Sequence, residues 1–185
     1  MEADWEVEIG GGAPVIEALW PGFVDLRSHA DRLGAIAEAA AFPPLAVLLR
    51  VLNSPESPVW TSKCDVWQPE PAALAAYIDM LPNSDTLPRR EAVFSERQEA
   101  EVFCREFVAR LQATATPESQ SEHSIDLVIR QAIAGEAEGF GITAYLGVKA
   151  AGQKEAETAL ALVMAGFADA LPRRSPPEIP REKLQ

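Results

Sequence analysis

Seven side chains carry the chemistry that this chain offers: Asp65, Trp67, Tyr77, Asp79, Asp126, Arg130 and Tyr145. Each sits at an outward position of a segment in which apolar and polar residues alternate. The alternation therefore places all seven on one side of a sheet, with Lys63, Lys149, Glu6 and Glu8. Aromatic rings among charges of both signs offer a partner or polar ligand flat contact area and charge-assisted hydrogen bonds. Carboxylates drawn together there would instead act as general acid and base in a small hydrolase or transferase. The same residues also suit a solvated sheet face held by cross-strand ion pairs.

Familiar catalytic patterns are missing. The chain has no Gly-Lys-Ser/Thr phosphate loop, Gly-x-Ser-x-Gly elbow, His-Glu-x-x-His pair or Cys-x-x-Cys pair. Gly10-Gly11-Gly12 lacks both the spacing and the following helix of a dinucleotide fingerprint. His29 and His123 stand alone and read as solvated. Cys104 falls in an apolar stripe with Phe103 and Phe107, and Cys64 shares a strand face with Trp60 and Val66, so both read as core residues. No metal site or cofactor is expected, and the residue pattern singles out no catalytic residue.

Three hairpin-plus-helix units position the seven. In the last, residues 124–133 and 141–150 alternate about a turn at Gly135-Glu136-Ala137-Glu138-Gly139, and Ala156, Leu160, Val163, Met164, Phe167 and Leu171 form a helical stripe. The first pairs residues 4–9 with 15–20 across the triple glycine. A helix capped by Ser28 and Asp31 follows, carrying Leu33, Ile36, Ala37 and Ala40. Pro43-Pro44 must end that helix and start another through Leu45, Leu48, Leu49 and Leu52.

The middle unit pairs 59–67 with 74–81. The second of these is read as strand because it matches 59–67 in length and stops at Pro82, although its alanines favour helix. Ser95 and Gln98 should cap a helix that buries Phe103, Phe107 and Leu111. The fold class that follows is α+β: an antiparallel sheet of about six strands with helices on one face, in a single domain over 1–172. Residues 173–185, rich in proline and charge, read as a disordered tail.

Composition narrows the function. A net charge of -12 argues against a nucleic-acid groove and against adsorption to anionic lipid. Two cysteines, an acidic start and no long apolar run point to a cytoplasmic protein outside the membrane. The leading expectation is a soluble, acidic, non-enzymatic binding protein. Its partner is a basic protein, neutralised as bacterial immunity proteins neutralise toxins, or a second copy in a homodimer. Trp20 and Trp67 are the candidate exposed anchors, while Trp5 and Trp60 are assigned to the core face.

Overall fold

The computed structural model describes residues 2–83, 93–114 and 122–172. The tail expected over 173–185 lies outside them. Strands β1 (Glu2–Val7) and β2 (Ile16–Ala18) open the chain, and a 3-10 turn, Ala30–Ala35, leads to helices α1 (Ala37–Ala41) and α2 (Pro43–Leu52). Strands β3 (Val59–Trp67) and β4 (Ala73–Pro82) precede helix α3 (Arg97–Thr114). Strands β5 (Glu122–Ala134) and β6 (Ala137–Lys149) and helix α4 (Gln153–Ala170) complete the order. The class is α+β, and the second segment of the middle unit is indeed strand.

The sheet is mixed rather than antiparallel. Its order is β1-β5-β6-β4-β3, with β2 also on β5. The two later hairpins form, and the turn of the last is tighter than expected, at Gly135 and Glu136 with Gly135 at φ 62°. The first hairpin does not form. Both β1 and β2 run parallel to β5 on the same edge, beside 124–129 and 132–134 respectively. A 13-residue β5 is long enough for two short strands end to end. The glycine loop, with Gly10 and Gly12 at positive φ, offsets the chain along that edge instead of reversing it.

The helices cover one sheet face. Ile125, Leu127 and Ile129 of β5, Ile142, Ala144 and Leu146 of β6, and Ala76, Ile78 and Met80 of β4 pack against them. From α2 come Leu45, Leu48, Leu49 and Leu52, from α3 Phe107 and Leu111, and from α4 the whole expected stripe through Leu171. Phe103 is only half-buried, stacked beside Phe107 at 5.7 Å. The Ser28 cap is not made: His29 precedes the 3-10 turn without a side-chain bond, and Ser28 reaches back towards Asp25. At α3 the Glu99 carboxylate, one residue beyond Gln98, accepts from the Ser95 and Glu96 amides. A carboxylate there also suits the positive end of the helix dipole.

Trp60 is buried on the opposite face from the one expected. A bulge between Thr61 and Cys64 inserts an extra residue into β3, so the alternation reverses across it. Trp60 lies opposite Leu81, while Cys64 and Val66 lie opposite Ile78 and Ala76 on the helix side. Trp60 instead joins a second core with Ile16, Leu81, Ala132 and Ala134.

That second core exists because the sheet curls. β2 and β3 stand at opposite edges, four strand spacings or about 19 Å apart in a flat sheet. Yet Ser62 Oγ of β3 donates to the Glu17 carbonyl of β2 at 3.0 Å, and Trp20 Nε1 donates to the Ser62 carbonyl at 3.4 Å. The edges therefore approach at this end, and the helix-free face becomes concave. Gly141 lies on the inside of the curve, where an added Cβ would meet Leu81 Cδ2 at 2.8 Å and Ile16 Cδ1 at 2.9 Å.

Candidate functional site

The pairing registers place all seven expected residues on the concave, helix-free face. One row crosses five strands in register: Asp4, Asp126, Tyr145, Tyr77 and Asp65. Trp67 stands diagonally from Tyr77 at 6.2 Å between ring centroids, and Tyr77 stands 6.4 Å from Tyr145. Beside this aromatic stripe the next row is Trp67, Ala75, Gly147 and Ser124, whose small middle members leave a shallow floor. Tyr77 and Tyr145 are half-buried, and Asp4 and Asp126 are exposed.

Towards the curled end the face is polar and closed. Arg130 donates through Nε and Nη2 to Glu8 Oε2 at 3.1 and 2.6 Å, and through Nη1 to the Tyr145 hydroxyl at 3.0 Å and Thr143 Oγ1 at 3.3 Å. Thr143 Oγ1 donates in turn to Asp79 Oδ1 at 2.6 Å. Arg130, Thr143 and Asp79 are all buried. Burial pushes the Asp79 carboxyl above its ordinary range, and the Thr143 hydrogen bond and the Arg130 and Lys63 charges offset only part of this. For Arg130 burial works against the charge, but bonds to Glu8 and Tyr145 outweigh it and hold the guanidinium protonated. The network thus fixes the orientation of the Tyr145 hydroxyl.

The carboxylates do not converge. Asp65 and Asp126 end opposite sides of the two tyrosines, three strand spacings or about 14 Å apart. Asp79 is buried and bonded to Thr143. Lys149 belongs to an exposed ion pair with Glu70 at 2.8 Å. Among the described residues no group of three or more His, Cys, Asp or Glu could hold a metal ion, and no helix is long and apolar enough to cross a membrane.

Several participants were not foreseen. Thr143 alternates with the buried Ile142 onto the polar face of β6, and Asp4 comes beside Asp126 only through the parallel pairing of β1 to β5. A cleft of about 300 Å³ also opens at the outer edge of β3. It depends on the bulge and on the chain after Trp20 returning to that edge, neither of which periodicity encodes. Trp20 lines this cleft, whereas Trp67 belongs to the aromatic stripe; their exposures are 37% and 38%. Comparison with protein-family models, with curated proteins and with solved structures finds no match for the chain.

Proposed function

We propose that this is a non-enzymatic binding protein whose helix-free face takes a basic segment of a partner protein. The row Asp4–Asp126–Tyr145–Tyr77–Asp65 carries the reading. Asp4 and Asp126 stand side by side on neighbouring strands, where like charges repel. A cationic partner relieves that repulsion. Lysine or arginine side chains between the flanking carboxylates would lie over the two tyrosine rings and gain cation–π attraction. The net charge of -12 adds long-range steering of the same sign. A carboxylate-based hydrolase or transferase draws support from the raised Asp79 alone, since Asp65 and Asp126 stand apart.

The test is calorimetric titration of the full chain with a short lysine- and arginine-rich peptide. An equally long glutamate-rich peptide serves as the control. The basic peptide should bind, less tightly as salt rises, and the acidic one should not. Tyr145→Ala should cost at least about 2 kcal/mol of binding, roughly thirtyfold, while the protein stays folded. Equal binding by wild type and variant would remove the row from recognition. Self-association that is lost in Tyr145→Ala, seen by sedimentation velocity, would make a second copy the occupant.

A further inference from the structure

The outer edge of β3 holds a second concavity that shares Tyr77 with the row proposed for partner binding and is otherwise built from other residues. At the 62–63 bulge the cleft opens between the strand and the segments 20–26 and 35–38. At about 300 Å³ it matches the lower end of small-molecule pockets, roughly 300–1,000 Å³. Leu26, Ile36 and Leu49 give it an apolar wall, and Trp20 and Tyr77 supply rings. Two charged side chains, Glu38 and Lys63, complete the lining.

The two charges differ in where they act. Glu38 raises both Cys64 and Tyr77, in each case after burial and together with Asp65 and Asp79. The Cys64 thiol is pushed up to about 12, so it stays protonated and is no nucleophile. The Lys63 ammonium acts instead on Asp79, on the helix-free side of the strand. Among the described residues the Glu38 carboxylate makes no hydrogen bond or ion pair. The cleft therefore combines an apolar wall, two rings and a half-buried carboxylate with no partner among the described residues.

We propose that this cleft binds a small organic cation, a primary ammonium carried on an aromatic or branched aliphatic body. Glu38 pairs with the ammonium, Trp20 and Tyr77 present ring faces to it, and the body leaves water against Leu26, Ile36 and Leu49. A carboxylate ligand would meet the negative field of Glu38 and Asp65. A neutral one would leave the Glu38 charge desolvated and unmatched, which is unfavourable.

Phenethylammonium, 2-phenylethanol and 3-phenylpropanoate serve as probes of nearly one shape and three charge states. Each is titrated into the full-length protein while the Trp20 indole and the Cys64 amide are followed by NMR. The amine should shift both resonances saturably, the alcohol should bind at least about tenfold more weakly, and the acid should not bind. Glu38→Gln should weaken the amine about tenfold, and Lys63→Gln should tighten it, because a repelling charge is gone. Equal binding of amine and alcohol would overturn the proposal in favour of a purely apolar groove. So would weaker amine binding by Lys63→Gln, absence of any saturable shift, or shifts confined to Asp126 and Tyr145. The reporting residues lie outside the partner-binding row, so failure of the basic peptide to bind would not pass for failure here.

Discussion

The two ends of the β5–β6 hairpin bury opposite faces. Near the middle of β5, Ile125, Leu127 and Ile129 are sealed beneath the helices while Asp126 is exposed. Four residues beyond Ile129 the sides exchange: Ile133 is 39% exposed, whereas Ala132 and Ala134 are buried at 1% each. The alternation itself is unbroken. What changes is the cover, from helices on the convex side to the curled sheet edge on the concave side. Small residues, Ala132, Ala134, Gly139 and Gly141, line the inside of that bend, where opposing strands leave least room. Alternation sorts a strand into two faces, and curvature decides which of them is inside.

The contrast is broken most severely in the helix-covered half. Phe107 is fully buried and meets Phe167 edge-on at 4.7 Å. Phe107→Ala should cost about 3–5 kcal/mol in a reversible denaturant titration, as transfer energy and a residual cavity add. A loss under about 1 kcal/mol would contradict the assignment of this side as the main core.

In the curled half the expected losses are smaller. Gly141→Ala should cost about 1–3 kcal/mol, since its methyl group must displace Leu81 and Ile16 and would sit 3.1 Å from the Met80 carbonyl oxygen. A neutral result would mean that β2 does not close over β6. Arg130→Ala should also cost about 1–3 kcal/mol by stripping Thr143 and Tyr145 of a donor, less than for a fully enclosed pair because Glu8 is half-exposed. Glu8→Gln should stay under about 1 kcal/mol for the same reason, and a larger loss would show Glu8 more enclosed than this geometry has it.

The smallest effect sharpens the polar side of the comparison. Asp79 is held neutral more readily in the folded chain than in the unfolded one. Its contribution to stability is therefore complete below the unfolded pKa and is lost as pH rises through the folded value. Asp79→Asn keeps an acceptor for Thr143 and removes the charge. Relative to wild type the variant should gain as pH rises from the ordinary carboxylate range towards neutrality. A relative loss that grows with pH, read from thermal melts across that range, would show the carboxylate to be favoured by its surroundings.

Much of this plan is legible in the residues. The α4 stripe, the α2 leucines after Pro43-Pro44 and the two later hairpins follow from periodicity and turn residues, which are local. The shared side of Asp65, Tyr77, Asp79, Asp126, Arg130 and Tyr145 also follows, because alternation survives between the bulge and the strand ends. Three features depend on distant chain and escape such a reading. They are the parallel seating of β1 and β2 on β5, the reversal at the Thr61/Cys64 bulge that moves Trp60, and the curl that joins Ser62 to Glu17. The partnering of Arg130 with Glu8 needs the first of these, and the cleft at Glu38 needs the other two.

The central claim, that the concave face recognises a basic segment, is tested most directly by mapping where such a segment lands. Backbone and tyrosine-ring resonances of the full chain are followed by NMR during addition of the lysine- and arginine-rich peptide. The account predicts saturable shifts at Asp4, Tyr77, Asp126 and Tyr145, with α3 and α4 unchanged. Shifts centred on those helices, or small unsaturable changes spread over every acidic residue, would contradict it.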